Sequence, residues 1–151
     1  MRFTKLTSSA LPASILSVAL LAGCGGSSTL SHAQLVTRAD AACRQANQAA
    51  ARLTAPGDSY AALAQYATQL SPIVQRLTGQ LGALNASATD RPALQRYLGA
   101  LRAGDRGLAL VARASSPSQV SQASSLVTSQ SIPAVAGALG ASTCAQSVPS
   151  S

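Results

Sequence analysis

The chain is 151 residues long and basic, with 11 Lys and Arg against four Asp, no Glu and one His, for a formal net charge of +7. Such a set offers no cluster of His, Cys and Asp at metal-ligand spacing and little from which to build an acid–base site. With no Trp, one Phe and three Tyr, it also lacks the aromatic surface on which single-stranded nucleic acid stacks.

The first element is a leader. Arg2 and Lys5 precede an apolar run from Leu11 to Ala22, 12 residues long, whereas a helix crossing a bilayer needs about 20. A positive start, a short apolar stretch and small residues before a cut mark an export signal. The run ends in Leu21-Ala22-Gly23-Cys24 and is followed by Gly25-Gly26-Ser27-Ser28. This tetrad resembles the lipobox of bacterial lipoprotein precursors. The resemblance implies signal-peptidase recognition at Leu21, Ala22 and Gly23, cleavage between Gly23 and Cys24, and covalent diacylglyceryl and acyl lipid on Cys24. Plain secretion and an uncleaved anchor are the alternatives. The lipoprotein reading divides the chain into a signal peptide (1–23), the lipidated cysteine with a flexible Gly/Ser tether (24–30), a folded domain (31–145) and a disordered tail (146–151). It expects the protein on the outer face of the cell membrane, held stably by more than one acyl chain.

Without the leader, 128 residues remain, carrying nine Arg, no Lys and four Asp, a net charge of +5. Alanine supplies 28 of them, so the hydrophobic fraction overstates the core, because a methyl group buries little area. Two cysteines are left, Cys43 and Cys144. An exported domain with two thiols most often pairs them. Closing a loop of about 100 residues contributes up to ~4.7 kcal/mol on the chain-entropy account. Two unpaired buried thiols are the alternative.

Four helical segments follow. The first spans about 31–53, with Leu35, Ala39, Ala42, Cys43, Ala46, Ala49, Ala50 and Leu53 on one arc. Ala55-Pro56-Gly57 ends it, and Asp58 or Ser59 caps the second. The second, about 59–84, carries the clearest stripe: Tyr60, Leu63, Tyr66, Ala67, Leu70, Ile73, Val74, Leu77, Leu81 and Leu84. Pro72 lies inside it and predicts a kink rather than an end, since the stripe keeps its phase. Asp90 is placed to cap the third helix, with Pro92 in its first turn. Leu94, Tyr97, Leu98, Leu101, Leu108 and Ala112 form its apolar face. Ser115-Ser116-Pro117 opens a fourth helix over 117–139, in which Pro133 shifts the phase: Val120, Ala123 and Val127 share one face, Val135 and Leu139 another. A low-complexity linker is the alternative for its Ser-rich half. Gly140 fits a helix C-cap.

These segments predict an all-α domain, an antiparallel four-helix bundle in up-down-up-down order. That topology places the start of the first helix and the end of the fourth together, so a Cys43–Cys144 disulfide can close the bundle's open side. Two stretches, Ala39-Asp40-Ala41-Ala42-Cys43-Arg44-Gln45-Ala46-Asn47 and Ala138-Leu139-Gly140-Ala141-Ser142-Thr143-Cys144, resemble uncharacterised helical lipoproteins of actinobacteria. The resemblance implies the helical fold and the disulfide, and no activity.

The polar residues give no catalytic constellation. His32 reads as a solvated residue at a helix start, and Asp58 and Asp90 as caps. Asp105 reads as an edge ion pair with Arg102 or a neighbouring Arg, or as a polar group at the mouth of an inter-helix cleft. Arg91, Arg102, Arg106 and Arg113 line up in one row of the third helix, either as a solvated face or as a contact for an anionic partner. Gly99, Ala103, Gly107, Leu110 and Ala114 make a small-residue side that another helix could approach closely. The expected role is a non-catalytic cell-envelope binding or interaction module, neither an enzyme nor a nucleic-acid binder. It is anchored to the membrane by its lipid, without another cofactor or a metal, with an envelope protein or anionic polymer as partner. The alternative is a small-molecule or ion carrier using a cleft lined by Tyr60, Tyr66 and Tyr97. An enzyme would need a cleft joining His32, Asp40 and Asp105.

Overall fold

A computed structural model describes residues 28–128 and 132–146. Leu21, Ala22, Gly23 and Cys24, and with them the expected signal peptide and most of the expected tether, lie outside the described residues, as do residues 147–151 of the expected tail. The described residues form six helices, α1 (His32–Ala50), α2 (Tyr60–Gly82), α3 (Arg91–Val111), α4 (Pro117–Thr128), α5 (Ile132–Ala138) and α6 (Ser142–Ala145), and no strands beyond an isolated bridge between Leu30 and Ala86.

Local chemistry sets most of the boundaries. Ser31 opens α1 with a capping box: the Gln34 N–H donates to Ser31 Oγ, and the Ser31 N–H donates to Gln34 Oε1 at 3.0 Å. The helix stops at Ala50, short of Leu53. Arg52 and Leu53 form tighter turns instead, donating to the Ala49 and Ala50 carbonyls. Ser59, rather than the exposed Asp58, caps α2 by accepting the Ala62 N–H at 3.2 Å, and the helix runs on through Pro72. At α3, Asp90 is itself in the αR region and its side chain makes no cap hydrogen bond, so the expectation that it caps this helix is corrected. Ser87 and His32 engage its carboxylate.

The expected fourth helix is two helices. Pro133 is the second residue of α5, where its missing N–H costs nothing, and proline disfavours helical backbone at the residue before it. The phase shift at Pro133 therefore marks a new helix rather than a bend in an old one. The pieces pack differently: α4 lies on α3, whereas α5 lies on both α3 and α6. After α5, Gly140 takes φ +81°. The Gly140 N–H donates to the Gly137 carbonyl and the Ala141 N–H to the Ala136 carbonyl, the bonding pattern of a Schellman C-cap.

The helix α3 is central, packing against α2, α4 and α5, while α1 packs on α2 and α6. The main core gathers Leu35, Ala39, Ala42 and Cys43 of α1, Leu77 and Leu81 of α2, and Leu94, Tyr97, Leu98 and Leu101 of α3. Ala136, Leu139, Ala141 and Cys144 complete it from the C-terminal side. Leu30, expected as the last residue of the tether, is buried at 7% exposure, and its N–H donates to the Asn85 carbonyl at 2.9 Å. The chain is thus secured two residues before α1 begins.

Burial along α2 is graded. Leu77 and Leu81 are buried, Leu63, Tyr66 and Leu70 are half-buried, and Tyr60 is exposed. The stripe read from the sequence is real but unevenly covered: Ala67 is buried along with Leu77 and Leu81, while Ile73, Val74 and Leu84 stay half-buried. On α3, Ala100, Gly104 and Gly107 are buried in addition to the leucines. A Cβ on Gly104 would sit 3.8 Å from Ile132 Cδ1, so small residues let the helices on that side come near. Of the small-residue side, Gly107 is buried and Ala103 and Ala114 are half-buried, whereas Gly99 and Leu110 stay exposed, Leu110 at the rim of a shallow groove shared with Ala123 of α4.

Candidate functional site

Cys43 and Cys144 are joined in a disulfide with Cα atoms 5.2 Å apart, closing 101 residues of sequence separation. Cys43 lies on the buried arc of α1, and Cys144 is held in α6 because Asp40 Oδ1 accepts the Thr143 N–H at 2.8 Å. A carboxylate at the start of a short helix satisfies an N–H that has no partner within the helix. Tyr97, 1% exposed, sets its hydroxyl 3.5 Å from Cys43 Sγ. A disulfide sulfur has no proton, so the phenol is the donor. Burial, reinforced by the negative charge of Asp40, pushes the Tyr97 hydroxyl up to about 12.

A second polar cluster ties the base of α1 to the loop before α3. His32 Nδ1 lies 2.8 Å from Asp90 Oδ1, and the Ser87 hydroxyl donates to Asp90 Oδ2 at 2.7 Å. The Ser87 hydroxyl and His32 hold the Asp90 carboxyl below its ordinary value. A depressed carboxyl contributes stability above its unfolded pKa of 3.8 and loses it as pH falls through the lower folded value. His32 is therefore more than a solvated start-of-helix residue, although its ring is 62% exposed. The order of the three side chains matters: here the carboxylate bridges Ser and His. A nucleophilic triad needs the imidazole between them, to take the hydroxyl proton.

Asp105 is held by α2. It accepts from Ser71 Oγ at 2.5 Å and from Gln75 Nε2 at 3.1 Å. Both donors are neutral, so the expected ion pair with Arg102 or a neighbouring Arg is corrected to a hydrogen-bonded clip between α2 and α3. His32, Asp40 and Asp105 each have separate partners and do not meet in one cleft. The three tyrosines are dispersed as well: Tyr97 is in the core, Tyr66 lines a groove with the Thr54–Gly57 loop, and Tyr60 is on the surface. Among the described residues, no group of three His, Cys, Asp or Glu side chains could hold a metal ion, and no helix is long and apolar enough to cross a membrane.

The arginines behave oppositely to the aspartates. Arg91, Arg102, Arg106 and Arg113 are all exposed. Arg113 lies just past α3, where its N–H donates to the Leu110 carbonyl, and Arg91 Nη2 reaches the Ala86 carbonyl at 3.5 Å. Arg38, Arg44, Arg52, Arg76 and Arg96 are exposed too. Among the described residues the only ion pair is His32–Asp90, so none of these nine arginines pairs with a carboxylate.

The roles of Asp40, Asp90 and Asp105 were beyond sequence reasoning. Their partners Thr143, His32 and Ser71 are 103, 58 and 34 residues away, and only the topology brings them together. The one local signal was the i, i+4 pair Ser71 and Gln75, two polar residues at the edge of the α2 stripe. No family model, no curated protein and no solved structure matches this chain.

Proposed function

We propose that the chain is the precursor of an exported lipoprotein, lipidated at Cys24, whose mature part is a non-catalytic binding or interaction module at the outer face of the cell membrane. Its helices are read as an antiparallel four-helix bundle in up-down-up-down order, with α4 and α5 together forming the fourth member. The observation that carries the functional reading is the split in charged groups: Asp40, Asp90 and Asp105 are consumed by structural contacts, and the arginines face outward without carboxylate partners. A surface so arranged attracts anionic material, and its one imidazole–carboxylate pair, His32–Asp90, has the carboxylate rather than the imidazole on Ser87. The disulfide and the burial of Leu30 suit an exported domain that begins only six residues after its anchor.

The test is metabolic labelling with a fatty acid, followed by fractionation. The protein is expected to take up label and to stay with membranes, and Cys24→Ser is expected to abolish labelling. Labelling that survives the substitution contradicts the reading. The carrier reading retains one feature in its favour, a groove of about 270 Å³ beside the disulfide, lined by Leu77, Leu101, Ile132 and Pro133 with Tyr97, Asn47 and Gln146 as polar groups. It predicts thermal stabilisation by a small apolar ligand, which an interaction module does not.

A further inference from the structure

We propose that the strip of α3 bearing Arg102, Arg106, Leu110 and Arg113 is a docking face for an anionic lipid bilayer, against which the domain lies on its side. The proposal rests on the lipid-anchored reading and adds the partner and the orientation. The three arginines are exposed and unpaired among the described residues, and the one carboxylate within α3, Asp105, is drawn toward α2 by Ser71 and Gln75. The strip therefore presents cations that nothing in the fold neutralises.

An exposed apolar residue among these arginines selects lipid over a soluble polyanion. Leu110 is 48% exposed, one of two large hydrophobic residues so exposed among the described residues. It stands four positions after Arg106 and three before Arg113, neighbouring positions on a helix surface. An apolar side chain flanked by arginines suits the headgroup boundary, where guanidinium groups reach phosphates and the leucine meets acyl chains. A dissolved polymer supplies the anions and leaves Leu110 in water.

Reach favours the same orientation. Leu30 is the sixth residue after Cys24, a stretch that spans at most roughly 20 Å when extended. The 21 residues of α3 make a helix about 32 Å long. Leu30 is bonded beside the start of that helix, at Asn85. Standing upright, the domain would hold Arg106 and Arg113 well beyond the Debye length of about 8 Å at physiological salt. Lying down, it brings the whole strip into contact, and the tether permits this.

The experiment places the membrane-purified protein on vesicles of pure phosphatidylcholine, or of phosphatidylcholine with about one third phosphatidylglycerol. Arginines are then modified with phenylglyoxal and each site is read by mass spectrometry. Arg102, Arg106 and Arg113 are expected to react about fivefold more slowly on the anionic vesicles, with the protection lost at about 0.5 M salt. Arg44 and Arg76, on α1 and α2, should keep their rates. Equal rates on the two vesicles, or equal protection of Arg44, overturn the proposal. So does the same protection by soluble polyphosphate, which points to a polymer instead. Leu110→Ser, an exposed change that the fold tolerates, is expected to weaken the protection, and an unchanged value argues against lipid. Retention on the neutral vesicles reads the anchor separately: protein that washes off them refutes the lipoprotein reading and leaves the arginine result to stand or fall alone.

Discussion

Where the chain enters the fold, Leu30, Leu35, Leu81, Tyr97, Leu98 and Leu139 share one core with the Cys43–Cys144 disulfide, whereas the region formed by α4, the first half of α2 and the second half of α3 buries Ala67, Gly104, Gly107 and Ala123. The difference is one of chemistry per position. A buried leucine contributes about 2 kcal/mol, and an alanine methyl well under half of that. The first region also holds the disulfide, the Asp40–Thr143 bond and the His32–Asp90 pair. Among the described residues, helix α4 packs chiefly on α3. Alanine-rich sequence can therefore fold into helices everywhere and still concentrate its stability at one place, here the place next to the tether.

The largest expected effect comes from unlatching the first region. Cys43→Ala with Cys144→Ala, measured by denaturant unfolding, should lower stability by about 3–5 kcal/mol. A loss below 1 kcal/mol would mean that packing alone holds α6 in place. Next, Leu35→Ala should cost about 3 kcal/mol, and the half-buried Leu108→Ala about 1 kcal/mol. Equal costs would erase the contrast between the regions.

Tyr97 provides a pH handle on the same core. Its hydroxyl is raised in the folded state to about 12, so the unfolded chain gives up this proton first as pH rises past 10. Stability should fall between pH 10 and 12 by on the order of 2–3 kcal/mol. Comparing unfolding curves of the wild type and Tyr97→Phe isolates this slope, and an identical slope in both would contradict the assignment. Smaller again is Gly140→Ala. The residue has φ +81°, and its added Cβ would lie 3.4 Å from Val36 Cγ2, so a loss of about 1–2 kcal/mol is expected. Smallest is Ser59→Ala, which removes the α2 cap for about 1 kcal/mol. Its effect should appear as fraying of the alanine-packed region in hydrogen exchange, with α1 unchanged.

Features set by neighbouring residues were legible in the sequence. The Ser59 cap, the Gly140 turn, the stripe through Pro72 and the phase break at Pro133 all follow from backbone chemistry within a few positions. The Cys43–Cys144 pairing was legible because the lipobox reading of Cys24 leaves only two thiols to pair. What was hidden depended on which elements meet. The sequence marks a break at Pro133 but not that α5 turns to α6 while α4 stays on α3. The same holds for Asp90, which reads as a cap until the fold brings His32 within 2.8 Å, and for Asp105, whose partners are on α2. Leu30 looked like tether because its covering groups, Asn85 and Ala86, lie more than 50 residues on.

Native-state hydrogen exchange at neutral pH, with the disulfide intact, tests the two-region account most directly. Amides in the middle of α1 and the first half of α3 should exchange only through global unfolding, and those of α4 should exchange orders of magnitude faster through local opening. Protection in α4 equal to that of α1 would contradict it.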